Sequence, residues 1–165
     1  MSDAVVERTG LPTIYEWQAG EIEGAAKAMA HWVSTTPEEK LSWKPKAEGG
    51  EGEGRDIYDQ VFECAQVNRR FANTLKGVPN GEWVADSTYK SSAEATDDLK
   101  ASAAELASVV RELDDEALAR QYTTGMGPMP GSLCISIALG NMYYHGGQIN
   151  LIQMMLGDKE FHFPG

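Results

Sequence analysis

A chain of 165 residues is long enough to bury one hydrophobic core, and a hydrophobic share of 42% is typical of globular proteins. We therefore predict one domain spanning residues 1–165. The formal net charge of −11 excludes the basic surface that nucleic acids and anionic membranes require, so we expect neither as a partner. The N-terminal residues lack the apolar core of a signal peptide, and Cys64 and Cys134 are expected to be buried thiols, which together predict a cytoplasmic protein.

The first predicted helix begins near Thr13 and continues to Val33, because apolar residues recur along it at helical spacing. Thr13 and Glu16 have the separation of a capping box. Residues 36–39 (TPEE) repeat the signal for a helix start and predict a short extra helical turn after the first helix. The glycine- and glutamate-rich residues 46–54 predict a flexible loop.

Three further long helical segments follow at residues 55–75, 91–113 and 132–156. Residues 114–120 predict one short additional turn, and the glycines, prolines and methionines of residues 122–131 predict a loop. The chain contains no alternation of apolar and polar residues that would indicate a β-strand. Long helical segments joined in this way predict an all-α fold, a four-helix bundle.

The last predicted helix carries the polar residues with the strongest functional signal. It lies in a run, residues 121–157, that contains no Asp, Glu, Lys or Arg, so most of its surface is expected to be buried. Asn141, His145 and Gln148 recur on one side of this helix at i, i+4 and i+7. Buried polar groups need hydrogen bonds or a metal, because leaving one unpaired costs about 1–3 kcal/mol. We therefore expect the chemistry of the protein at this stripe.

Glu63 lies to one side of the inner face of the second helix, at a boundary from which its side chain can reach inward. A carboxylate with an imidazole suits zinc, nickel or a similar divalent metal, and residues one turn apart, such as Asn141 and His145, can hold one ion. Asparagine is a poor ligand for these metals, and a lone histidine on an apolar helix is usually a hydrogen-bonded core residue. Spacing alone leaves open both a metal site and a hydrogen-bonded core histidine.

Three segments, taken in order along the chain, resemble the DinB-like family. Residues 37–45 (PEEKLSWKP) are similar to the segment that these proteins carry between their first two helices. Residues 55–61 (RDIYDQV) are similar to the opening of their second helix. Residues 145–150 (HGGQIN) match the family signature His-x-Gly-Gln-Ile in the last helix, and this match is the most specific of the three.

The resemblance implies a four-helix bundle, often a homodimer, with one divalent metal held by three histidines. His145 matches the third of these histidines. Asn141 stands where the first histidine of the pair in the last helix would be, and Glu63 stands at the position of the histidine in the second helix. Gln60 takes that position if the register is shifted by one turn. The two replacements favour a polar cluster without metal over a bound metal.

Two functions follow from the resemblance. The first is a small-molecule-binding bundle, usually a homodimer, whose metal site is degenerate. The alternative is a metal-dependent thiol transferase or isomerase, or a hydrolase, acting on a small electrophilic substrate. In that scheme His145 and Glu63 anchor the ion, and Tyr144 or Gln148 orients the substrate. The sequence leaves the choice between enzyme and binding protein open.

Overall fold

The computed structural model describes residues 12–46 and 54–163, and this part of the chain is a bundle of long helices with one small hairpin. In chain order the elements are α1 (Ile14–Thr35), a 3₁₀ turn (Glu38–Lys40), α2 (Ile57–Lys76), α3 (Ser92–Arg111), α4 (Asp115–Ala119), β1 (Gln121–Thr124), β2 (Gly127–Pro130) and α5 (Gly131–Met155). The predicted helical bundle and its extra turn after the first helix are confirmed. The predicted flexible loop, residues 46–54, lies almost wholly outside the described residues, as does most of the N-terminal stretch.

Side-chain caps set the first residue of α1, α2 and α3, whereas α5 begins after Pro130 without one. Thr13 caps α1 by accepting a hydrogen bond from the backbone N–H of Glu16 at 3.1 Å. Asp56 caps α2 in the same way, which is why that helix begins two residues later than predicted. The predicted capping box of α1 is only half formed, because the Glu16 carboxylate accepts instead from Arg111 at 3.0 Å.

The core lies between two layers of helices. The α3 helix packs against α1 and α2, and α5 packs against the same two helices from the other side. The largest fully buried side chains come from every long helix; they include Ile22, Met29, Leu41, Ile57, Leu99, Leu106, Ile135, Met142 and Ile149. This arrangement turns one face of α2 and one face of α5 towards each other. The polar residues predicted on those two faces can therefore meet.

The prediction of a loop at residues 122–131 is wrong. These residues form an antiparallel hairpin in which Tyr122 lies opposite Met129 and Thr124 lies opposite Gly127. Prolines 128 and 130 hid the strand pattern, but a two-stranded ribbon has only edge strands, where proline is tolerated. Met129 is buried, so the hairpin is packed onto the bundle.

Gly146, at the variable position of the family signature, explains how α5 approaches α1. A Cβ atom at Gly146 would lie 2.5 Å from the ring of Trp32, so only glycine allows this contact without movement. The Trp32 indole N–H donates to the backbone carbonyl of His162 at 2.8 Å, which fixes the ring. The Gln153 amide donates to the backbone carbonyl of Trp32 at 2.9 Å. This carbonyl lies in the last turn of α1, where backbone carbonyls lack a hydrogen-bond partner within the helix.

Cys64 and Cys134 are both buried thiols, as the sequence predicts. Burial raises the pKa of Cys64 and of Cys134, which keeps both in the unreactive neutral form. Among the described residues, no helix combines the length and the apolar character needed to cross a membrane.

Candidate functional site

His145 lies inside the bundle, with 3% of its surface exposed, and every polar contact of its ring is to a side chain predicted for the site. Its Nε2 atom is 3.0 Å from Oε1 of Glu63 on α2. Its Nδ1 atom is 2.7 Å from Oε1 of Gln148, one turn further along α5. Nδ1 also contacts Oε1 of Gln60, which is itself buried. The structure therefore brings the predicted residues of both helices together.

The charge on Glu63 fixes the position of one proton on His145. Burial opposes ionisation of Glu63, but hydrogen bonds from His145, Arg55 and Asn141 outweigh it, so the pKa of this carboxyl is lowered. An ionised carboxylate can only accept hydrogen bonds, so Nε2 of His145 carries a hydrogen and donates it to Glu63. In the amide orientations of the structure, Nδ1 faces the carbonyl oxygens of Gln60 and Gln148.

Arg55 completes the cluster, and it is the functional residue that the sequence argument missed. Its guanidinium forms an ion pair with Oε2 of Glu63 and donates from Nη2 to the backbone carbonyl of Asp59 at 2.7 Å. The signal that points to it is indirect, because a carboxylate at a helix boundary needs a counter-charge when it turns inward. Arg55 precedes the N-cap of α2, so helical spacing gives no direction for its side chain.

Asn141 joins this cluster to a cavity. Its Nδ2 group donates to Oε1 of Glu63 at 3.1 Å, while its Oδ1 atom is buried without a hydrogen-bond partner among the described residues. Glu63 and Asn141 also line a cavity of about 320 Å³ between α2, α5, the tip of the hairpin and the segment after α2. Its other lining residues are Val67, Arg70, Phe71, Thr74, Asn80, Trp83, Thr124, Gly125, Met126 and Ile137.

Tyr144 takes a different place from the other predicted residues. Its side chain is on the outside of α5, with 64% of the residue exposed. Its ring packs edge-on against the ring of His145, with the centroids 5.0 Å apart. Tyr144 therefore does not line the cavity beside Glu63.

The sequence pattern of the DinB superfamily matches residues 21–149, which include most of α1 and every residue of the cluster. The chain belongs to the DinB superfamily. The fold of this DinB protein is similar to that of a crystal structure of a DinB-like protein from Bacillus subtilis, with a TM-score of 0.67 and 15% sequence identity. That match covers 90% of this chain and 99% of the other. A comparison with curated proteins finds no match.

The donor set of this DinB protein does not fit a divalent metal as it is arranged. Nε2 of His145 and Oε1 of Glu63 are in direct hydrogen-bond contact at 3.0 Å, whereas an ion would have to replace the hydrogen between them. The other oxygen of Glu63 is paired with Arg55, a permanent positive charge next to the place a cation would occupy. Among the described residues, no group of three or more His, Cys, Asp or Glu side chains is arranged to hold a metal.

Proposed function

We propose that this DinB protein is a small-molecule-binding bundle that works without a metal, with its ligand in the cavity lined by Glu63 and Asn141. The observation that carries the proposal is the joining of this cavity to the buried cluster through Asn141. A ligand site typically has a mainly apolar wall and a few polar groups that fix the orientation of the ligand. Val67, Phe71 and Ile137 supply such a wall here.

The buried cluster supports this function by holding Asn141 in one orientation. Glu63 accepts from the Nδ2 group of Asn141, so Oδ1 remains as the acceptor for a ligand. Arg55 offsets the charge of Glu63, and His145 holds the second side of the carboxylate. A polar group at a ligand site is most selective when other residues fix its rotamer, and this cluster supplies that support.

A metal-dependent thiol transferase, isomerase or hydrolase is the second candidate. One observation favours it: Glu63, Asn141 and His145, which stand at the three positions implied by the family resemblance, are in contact with one another. For a metal to bind there, His145 would have to lose the hydrogen on Nε2 and Arg55 would have to leave Glu63. The competition between Arg55 and a metal is therefore what separates the two functions.

Two measurements test the proposal. Elemental analysis of protein purified without added metal is expected to show no stoichiometric metal, and a stoichiometric transition metal would support the enzyme instead.

A titration with indole, a neutral apolar probe, is expected to shift the NMR signals of residues at the cavity wall, such as Phe71 and Ile137. A cavity-filling Val67→Phe variant should reduce these shifts, with the exposed Ala104→Phe on α3 as its matched control. Indole shifts outside the cavity only would overturn the placement of the ligand.

Homodimer formation is part of the same proposal. It is supported by an apolar stripe on the outer face of α5, where Tyr144, Leu151 and Met155 are each more than half exposed. These residues lie at i, i+7 and i+11, so they share one side of the helix. An exposed apolar patch on an otherwise charged protein is typical of an interaction surface.

A further inference from the structure

We propose that the cavity lined by Glu63 and Asn141 selects an aromatic carboxylic acid that also donates a hydrogen bond. This inference rests on the proposed binding function and adds the chemical class of the ligand. Three features of the cavity wall carry it: an exposed aromatic surface and, within the part of the chain that the structure describes, a guanidinium without a carboxylate partner and a buried acceptor without a donor. They come from Arg70, Trp83 and Asn141.

Arg70 supplies the site for the negative charge. Among the arginines that the structure describes, each of the others forms an ion pair with a carboxylate; these are Arg55, Arg69, Arg111 and Arg120. No carboxylate among the described residues pairs with Arg70, although the protein has a net charge of −11. Its Nη1 group donates to the backbone carbonyl of Gly81 at 2.8 Å, which leaves further N–H groups of the guanidinium for an anion.

Trp83 and Phe71 supply the aromatic part of the wall. The Arg70 guanidinium lies 5.8 Å from the centre of the Trp83 ring, which holds cation and ring beside each other. Trp83 is 48% exposed, so a ligand in the cavity would cover apolar surface that now faces solvent. A planar ring system fits such a wall, and a volume of about 320 Å³ is within the range of sites for small organic molecules.

Asn141 is the reason why the ligand should carry a hydrogen-bond donor. Its Oδ1 atom is buried and has no hydrogen-bond partner within residues 12–46 and 54–163, while its Nδ2 group is held by Glu63. Because the carboxylate of Glu63 can only accept, the amide cannot be reversed without losing that hydrogen bond. A ligand N–H or O–H that reaches Oδ1 satisfies the buried acceptor, and a ligand without a donor leaves it unpaired.

The test uses three probes that differ by one feature each. Indole-3-acetate has the ring, the charge and the N–H; indole-3-acetamide lacks the charge; and 1-methylindole-3-acetate lacks the N–H. Calorimetric titration of the full chain is expected to give a dissociation constant at least about tenfold lower for indole-3-acetate than for either of the other two probes. A difference of this size corresponds to the loss of one charge-assisted or buried hydrogen bond. Equal affinities for the three probes would overturn the inference and leave the proposed binding function standing.

Variants assign the charge preference to a residue. Arg70→Met is expected to remove the preference for the acetate over the acetamide while indole itself still binds. Arg120→Met is the control, because Arg120 pairs with Glu116 on the surface at 3.0 Å and does not line the cavity. A preference that survives in Arg70→Met would overturn the role of Arg70. Failure of indole and of all three probes to bind the parent protein would overturn the proposed function together with this inference.

Discussion

The Nε2 atom of His145 lies 3.0 Å from Oε1 of Glu63, so α5 and α2 are joined by a hydrogen bond between an imidazole and a carboxylate. The opposite oxygen of the same carboxylate is paired with Arg55. In this arrangement a guanidinium supplies the positive charge that a metal ion would otherwise bring. Each member of this cluster can be tested separately.

Replacing Arg55 should make the cluster more receptive to metal. In an Asn141→His background, Arg55→Met is expected to raise the affinity for zinc by at least about tenfold, because it removes a positive charge beside the ligands. The measurement is calorimetric titration with zinc. Arg120→Met in the same background is the control and should leave zinc affinity unchanged. Equal affinity with and without Arg55 would contradict the view that the guanidinium excludes the metal.

The contribution of Glu63 to the free energy of unfolding should decrease as the pH falls. Its pKa in the folded protein lies below the ordinary value of 4.5, so its contribution is present above that value and is lost as the pH falls through the folded pKa. Glu63→Gln is therefore expected to lower the free energy of unfolding by about 1–3 kcal/mol at neutral pH. Urea unfolding of both proteins should show this difference shrinking below pH 4.5. A difference that does not change with pH would contradict the assignment.

The two neighbouring glycines that follow His145 should respond differently to alanine. Gly146→Ala places a methyl group against the Trp32 ring and is expected to cost about 1–3 kcal/mol of stability through overpacking. Gly147→Ala meets no atom within 4 Å and is expected to be neutral or to stabilise α5 by up to about 1 kcal/mol. Thermal and urea unfolding measure both changes. Similar effects of the two substitutions would argue against the close approach of α5 to Trp32.

The outer face of α5 should control the oligomeric state. Size-exclusion chromatography with light scattering is expected to show a dimer at micromolar concentration. Leu151→Glu should shift it to a monomer, because it places a charge within the apolar stripe. Ala104→Glu, on the exposed side of α3, is the control and should leave the dimer intact. A monomeric parent protein would remove this proposal.

Helical spacing was sufficient to place most of the cluster. It put Asn141, His145 and Gln148 on one side of the last helix and Glu63 at the boundary of the second. Gln60 was added by the register of the family resemblance. The periodicity of a regular helix defines which residues share a face, and polar residues on a buried face must form hydrogen bonds with one another. These positions follow from local sequence because each residue lies well inside a long helix.

Two of the residues that the sequence did not reveal lie outside regular helices, whereas Arg70 was missed although it lies on α2. Arg55 precedes the cap of α2, and Trp83 lies in the segment between α2 and α3, where no periodicity defines the direction of a side chain. The hairpin was missed because proline and glycine are usual in loops and weaken a strand pattern. The hairpin tip and the segment after α2 close one side of the cavity against α2 and α5, so the polar cluster was predictable and the cavity beside it was not.

The tip of the hairpin contributes Thr124, Gly125 and Met126 to the cavity wall but makes no hydrogen bond to the cluster around His145 among the described residues. A change in these tip residues would alter the shape offered to a ligand while the helices keep their packing. Relatives of this protein can thus diverge in what they accept through a few turn residues. The packing of the helices and one side of the cavity are thus encoded in separate stretches of the chain.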